Sequence, residues 1–497
     1  MQQFLKNRLV KTAVLLLLVF AAAEISAQQP ISLIASTSPA IADEISEFGE
    51  KMTIEEYMAK QKSKSQIDFT ASGPVSLQNA QIFDVLRLAL LRNRDIIGAT
   101  RRVEGASAQV MQARSIFGAK LTGNFQHVRV DDVAKTISGG RSIDLGKKDS
   151  QQAYFEVTQP VFLSGRDRAA LSSARLGRNA AQAGHTLTQQ QVLLETTMLW
   201  LAWLFSSEAE RVGEKDLELA QAHYDLVSMR YKHKQVSQFE LLRADVRLAQ
   251  SNSDLRKKIN DRELACLDLL NILDLPQDTL VSTQDRLQMI DFPIDLARDS
   301  AKALDLREDV RLKRLDVRIA KQAIKSARSD NMPVISLFGQ SGVQDPSSKS
   351  SMGQYERKGY WKAGVVANFT LADGGMRKGK IKEARAKLAL AENSLKDTIK
   401  RANIEIKQAY LTIETAKEVV SAQHKALKQA EEALRLAGVR YSNGLFTQVE
   451  LFDAENAYLA TRLQYLQAIL IYHQAYASYR LATGQLGRRL IASVSEY

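Results

Sequence analysis

The chain has 497 residues, with 68 Lys and Arg against 56 Asp and Glu, a formal net charge of +12. Charges of both signs are interspersed along helical stretches, so the basic excess reads as a solvated helical surface, not a nucleic-acid patch. Cys266 is the only cysteine, which excludes an internal disulfide, and the sparse Gly and Pro suit long helices.

The first 27 residues read as a signal peptide. Lys6, Arg8 and Lys11 form a basic start, Thr12 to Ala23 an apolar run, and Ile25-Ser26-Ala27 a cleavage site. The run is short for a membrane anchor, which is the alternative reading. Cys266 lies far from the cleavage site, so lipid attachment at a new N-terminal cysteine is excluded. Residues 28–75 carry no assignable role. The best later membrane-span candidate, Val192 to Phe205, contains Glu195 and is too short. An exported chain of this kind is periplasmic, secreted or an outer-membrane β-barrel.

A helix closing at Ala106 to Phe117 is followed by two β-rich segments, Ala119 to Val130 and Gln152 to Phe162. In the second, Phe155 and Val157 alternate with Glu156 and Thr158, the period of two that sends neighbours to opposite sheet faces. The polar stretch from Val130 to Gln151 reads as a loop. It contains GGRSIDLGKK, whose Gly140–Gly146 spacing is one too long for a phosphate-binding loop, with Lys148 where Ser or Thr is needed. Arg166 to Lys232 then reads as one helix free of Pro, with a coiled-coil seam at Leu217, Ala220, Tyr224, Val227 and Tyr231. A turn reverses the chain into a helix over Gln238–Leu273.

The second half repeats this order. RYKHKQVSQFELLRAD (Arg230 to Asp245) returns as RYSNGLFTQVELFDAE (Arg440 to Glu455), 210 positions later. At the same offset Trp200-Leu201 matches Tyr410-Leu411 and Gly165 matches Gly375. A period this long marks a duplicated half-protein, not a solenoid. The repeats are placed at 76–275 and 301–486, with a connector at 276–300 and a tail at 487–497. The second strand pair starts near Val334 and near Trp361. There Trp361, Ala363, Val365, Ala367 and Phe369 form an apolar face against Lys362, Gly364, Val366 and Asn368. The seam of the second long helix is Leu427, Ala430, Leu434, Ala437 and Tyr441, and its returning helix is Gln448–Leu481.

The fold class is therefore mainly α with a small β part. Each strand has the length that crosses a bilayer when tilted. Four strands cannot close a barrel, and lipid tolerates no open edge, so several copies must join. Three copies would give twelve strands, with the helices as a cylinder beyond them. A periplasmic coiled-coil adaptor or structural protein without a pore is the alternative, but it leaves the amphipathic strand pairs unexplained. The scattered His residues and the lack of HExxH, clustered Cys/His or a nucleophile motif argue against an enzyme, a metal site or a cofactor.

QPVFLSG (Gln159 to Gly165), TLADGG (Thr370 to Gly375) and RYSNGLFTQVELFDAEN, in this order and duplication, resemble the TolC family of outer-membrane efflux proteins. The resemblance covers residues 76 to 486. It implies a homotrimer in the outer membrane, with a twelve-stranded barrel and a periplasmic α-barrel. It also implies docking to a periplasmic adaptor protein and an inner-membrane pump. By position, Glu450 and Asp453 match the acidic constriction at the periplasmic gate. Tyr441 matches the gate tyrosine and Glu240 its acidic partner. Phe446 stands where the best-known member has an arginine, so that ionic latch is missing. Without the resemblance, Glu450 and Asp453 read as ordinary solvated helix positions with an N-terminal dipole preference, and Tyr441 as a seam residue. Drug efflux, type I protein secretion and metal export share the architecture. Met-rich ladders, which would favour soft-metal export, are absent.

Overall fold

A computed structural model describes residues 77–132, 135–138, 141–144, 148–330, 332–344, 358–488 and 490–491. The expected signal peptide and the segment 28–75 lie outside the described residues. Among the described residues no helix is long and apolar enough to cross a membrane.

Helices α1 (Ile82–Arg92) and α2 (Arg94–Ser115) lead to strand β1 (Lys120–Arg129). A short hairpin, β2 (Lys135–Ser138) and β3 (Arg141–Asp144), precedes β4 (Asp149–Phe162), α3 (Gly165–Lys232) and α4 (Gln238–Ile272). The second half runs α5 (Leu296–Leu306), α6 (Glu308–Arg328), β5 (Val334–Gln344), β6 (Lys358–Asn368), α7 (Met376–Ser442) and α8 (Gln448–Ala482). The long helices have 68 and 67 residues and the returning helices 35 each, so helix–strand–strand–long helix–helix occurs twice. At 1.5 Å per residue α3 is about 100 Å long. The hairpin β2–β3 departs from the all-loop expectation for Val130 to Gln151. Thr136, Ile137 and Ile143 give it the β-branched content that favours pairing.

The four long strands form one antiparallel sheet in the order β1-β4-β5-β6. Register decides which side chains share a face. Leu121 lies opposite Val157, Val157 opposite Gly339, and Gly339 opposite Ala363. The next rows align Phe155, Ser341 and Trp361, and Gln159, Leu337 and Val365. One face therefore collects Leu121, Phe125, Phe155, Val157, Leu337, Trp361 and Val365, with Trp361 78% and Phe125 73% exposed. The other carries the row Glu156–Gln340–Lys362, with Gln152 donating to the Tyr360 hydroxyl at 3.0 Å. This is the alternation expected from the sequence. Pro160, which cannot donate to the ladder, sits at the register shift between Pro160 and Phe162.

Within each half the helices pack as antiparallel pairs. Near the middle of α3, Val192, Trp200, Trp203 and Leu204 bury against α1 and the end of α4. A second core joins Leu201 and Val212 of α3 to Ile413 and Val420 of α7 and to Ile469 and Tyr472 of α8. The segment between the halves lies on this second core, where Phe292 stacks on Tyr476 at 3.9 Å.

The seam of α3 differs in phase from the sequence expectation. Ala220 and Val227 are buried, but Asp216 and His223 occupy the buried steps that Leu217 and Tyr224 were expected to fill. Hydrophobicity alone misplaces a seam whose core positions are polar and satisfied by partners from other helices.

Candidate functional site

The two helical tips are built alike. Each long helix ends with a left-handed residue, Lys234 at φ +60° and Gly444 at φ +73°, 210 positions apart. In both, paired backbone bonds close the last turn: Lys234 N–H to Tyr231 and Gln235 N–H to Arg230, then Gly444 N–H to Tyr441 and Leu445 N–H to Arg440. Ser237 and Thr447 cap the returning helices by accepting the N–H groups of Glu240 and Glu450.

The caps then diverge. Glu450 completes a capping box: its carboxylate accepts the Thr447 N–H at 2.7 Å and the Thr447 hydroxyl at 2.9 Å. The Thr447 backbone N–H, and then its hydroxyl, hold the Glu450 carboxyl below its ordinary pKa, so it stays ionised. Asp453, one turn on, is exposed. Glu240 forms no such box, and its carboxylate remains available to its surroundings.

Tyr441 is 8% exposed and packs with Ala437, Leu451 and the partly buried Phe446. The Arg230 guanidinium stands 5.5 Å from its ring centre, and Arg440 stands 5.0 Å from that of Phe446. Burial raises the Tyr441 pKa, while Arg230 opposes by charge and hydrogen bond; Glu240 acts through charge alone. Arg230 and His223 of the first hairpin thus both face the tyrosine ring, His223 with its ring centre 5.4 Å away. The five residues singled out from the sequence do converge on the two tips, with Phe446 and Tyr441 in one small apolar cluster.

The profile described as "Outer membrane efflux protein" matches residues 85–273 and 300–485. The outer membrane protein TolC of Escherichia coli is 21% identical over 415 residues, covering 78% of this chain and 79% of TolC. The cation efflux system protein CusC of Escherichia coli is 23% identical over 386 residues, 77% and 81% of the two chains. The outer membrane channel CmeC of Campylobacter jejuni superposes with a TM-score of 0.70 at 18% identity, covering 84% of this chain and 89% of CmeC.

The chain belongs to the outer membrane efflux protein family. It is an outer-membrane export channel of the TolC type.

Three polar residues of this family member, the buried Asp216 and His223 and the partly buried Arg247, were missed in the sequence, and all lie where the halves differ. Asp216, His223 and Arg247 match Ala426, Ala433 and Ala457 at the offset of 210. Broken repeat symmetry was therefore the available signal. Arg247 pairs with Asp216 at 2.6 Å and donates to Ser251 at 2.8 Å. Glu455 of α8 packs into the same place, 6% exposed; burial pushes its carboxyl up to about 6, with Arg247 opposing and Asp216 adding. Two turns toward the tip, burial and then the Arg230 charge lower His223 to about 4, so its ring is neutral. The Gln448 amide donates to that ring at 3.0 Å and to the Glu240 carbonyl at 3.4 Å. These contacts tie the first turn of α8 to α3 and α4. Cys266 is half-buried and burial raises its thiol pKa, which makes it an inert packing residue.

Proposed function

We propose that three copies assemble into a trimer whose twelve strands close a barrel in the outer membrane and whose helices form a periplasmic tunnel. The observation that carries this reading is the four-stranded sheet itself. It is apolar across one face and polar across the other, and among the described residues β1 and β6 have unpaired edges. The tips support it too. Met229, Phe239, Leu242 and Val246 of the first hairpin are exposed in the single chain, as are Val439 and Leu445 of the second. Stripes of this kind ask for a neighbouring copy.

In this reading the tunnel is the exit duct of a tripartite efflux or type I secretion system, fed by an adaptor and an inner-membrane pump. The groove between α3, α7 and α8, lined by Lys215, Lys428, Arg435 and Tyr458, offers an adaptor helix a seat. Glu450 and Asp453 of three chains form an acidic ring at the periplasmic entrance, which concentrates cations and repels anions. Closing rests on Tyr441 against the first hairpin, where Glu240 lies, and on the packing of Phe446 within the second.

Chemical crosslinking in mild detergent tests the assembly: products should stop at three, and a well-behaved solubilised monomer overturns it. In planar bilayers the channel should be cation-selective and blocked by multivalent cations from the periplasmic side. Glu450→Ala with Asp453→Ala should weaken both. Unchanged selectivity and block in that variant would remove these residues from the gate.

A further inference from the structure

The helix ends at the sheet carry positive charge that neither barrel closure nor the gate uses. Lys120 lies opposite Thr158 and Val334 opposite Asn368, so α2, α3, α6 and α7 all join the sheet at one end. The flanking residues 111–119, 163–169, 321–333 and 369–382 hold ten Lys and Arg against three Asp. These 43 residues thus supply seven of the chain's net twelve positive charges.

The three acids are already engaged. Asp167 is buried; Asp330 pairs with Lys380 at 2.5 Å and with Arg166 at 3.7 Å; Asp373 accepts the Gly375 and Arg377 N–H groups that start α7. Most of the cations, including Arg168, Lys325, Arg328 and Lys378, have no ion pair among the described residues.

The charge is organised. Lys321, Lys325 and Arg328 step by four and three along α6, on one exposed face. Lys325 and Arg328 share a cleft with Arg168 of α3, and its other lining residues include no acid. Gly165 lets α3 start directly against Ser329, where a Cβ would collide. On α7, Arg377, Lys378 and Lys382 are exposed and, at about 100° per residue, spread around more than a third of the helix. On the barrel side of this layer Val161, Phe162 and Leu371 are exposed apolar residues, Leu371 to 87%. An apolar band that ends in a basic layer matches the profile of a bilayer edge with anionic headgroups.

We propose that this girdle, centred on the Arg168–Lys325–Arg328 cleft, binds the headgroups of anionic phospholipids in the leaflet that faces the helices. The inference rests on the reading that the sheet spans the outer membrane. Arginine offers a planar fork to a phosphodiester, and lysine a compact charge. Each cation near an anionic surface strengthens binding roughly fivefold. The girdle would fix the depth of the barrel and enrich anionic lipid around it.

Native mass spectrometry of the full-length protein in mild detergent tests this, with phosphatidylglycerol and phosphatidylcholine of equal chain length as probes. Wild type should retain phosphatidylglycerol at least tenfold better, and the preference should fall as NaCl rises from 50 to 500 mM, by roughly the screening of exposed charges. Arg168→Gln/Lys325→Gln/Arg328→Gln should lose most of the preference. Lys396→Gln/Lys400→Gln/Lys425→Gln, exposed cations further along α7, should keep it. Equal retention of the two lipids, an unaffected cleft variant, or an equal loss in the control overturns the proposal. Displacement of the lipid by millimolar inorganic phosphate makes the cleft a free-anion site and overturns it too. So does a cleft variant that shifts ion selectivity but not lipid retention, since its cations would then line the tunnel. Wild-type trimerisation and conductance, measured on the same preparation, test the channel reading separately.

Discussion

The α3–α4 tip and the α7–α8 tip have the same length, the same backbone turn and the same capping position, but matching residues do different work. At the second tip Glu450 is locked into its own cap, and Gln448 and Phe452 are buried. At the first tip Glu240 has no capping box, and Phe239 and Leu242, the counterparts of Val449 and Phe452, are exposed. Deeper in the helices the contrast reverses. The first hairpin supplies the buried Asp216 and its partly buried partner Arg247, where the second has Ala426 and Ala457. Duplication has preserved the backbone and redistributed the polar contacts. The first hairpin supplies the Asp216–Arg247 pair that Glu455 packs against, and the second carries a capped, acidic end.

The largest effect expected from breaking this contrast is at Arg247. Arg247→Ala leaves Asp216 and Glu455 buried beside each other without their cation, and removal of one partner from a buried pair costs about 3–5 kcal/mol. Asp216→Ala/Arg247→Ala, which copies the second hairpin, should recover more than half of that loss. Thermal unfolding followed by circular dichroism at neutral pH measures both. A single variant that melts with the wild type would mean that the cluster contributes no net stability.

The turns give a reciprocal test at about 1 kcal/mol. A residue with a Cβ in the left-handed region is strained by about 1–2 kcal/mol, so Gly444→Ala should destabilise and Lys234→Gly should stabilise, the latter by less because glycine loosens the unfolded chain. Thr447→Ala should cost about 1 kcal/mol and Ser237→Ala less, because only Thr447 belongs to a reciprocal box. Equal losses at the two caps would mean that the reciprocal box adds nothing to the second tip.

A functional comparison of similar size concerns Tyr441. Arg230→Gln and Tyr441→Phe should each raise conductance modestly in planar bilayers, and Glu240→Gln should raise it less, because the Arg230 guanidinium stands over the tyrosine ring at 5.5 Å. The reverse order would restore Glu240 as the principal partner.

Much of this molecule was legible in the sequence because its signals are periodic. Sixty residues without Pro, strands alternating at Phe155–Thr158 and Trp361–Asn368, and a 210-residue offset each require only local reading. That Glu240, Tyr441 and Glu450 stand at the two tips was legible through family resemblance. Partners contributed by other helices were not. Nothing in the local sequence says that His223 meets Gln448, 225 positions away, or that Arg230 stands over the ring of Tyr441. The expected seam at Leu217 and Tyr224 failed for the same reason. A polar residue is excluded from a core by default, and only a partner from elsewhere in the fold reverses that default.

The smallest effect expected in the wild type, and the sharpest contrast between variants, is in pH dependence. Glu455 holds its proton more tightly in the packed state, at about 6 against an ordinary 4.5, so acid favours its packing and that stabilisation is lost as pH rises through 6. His223 is the opposite case. Its neutral ring is packed at about 4 against an ordinary 6.5, so its stabilisation is present above pH 6.5 and lost as pH falls toward 4. The groups facing Glu455 are Asp216 and Arg247; those around His223 are Arg230, Tyr441, Gln448 and Phe452. Between pH 6.5 and 4.5 the two titrations oppose each other, one contributed by each hairpin, and largely cancel. Removing either should unmask the other. Relative to wild type, Glu455→Gln should lose melting temperature as pH falls from 6.5 to 4.5, and His223→Ala, which again copies the second hairpin, should gain it. Taking each variant as a difference from wild type removes the background of surface carboxylates common to all three proteins. Shifts of the same sign in both variants would show that the two buried groups do not balance across the interface between the hairpins.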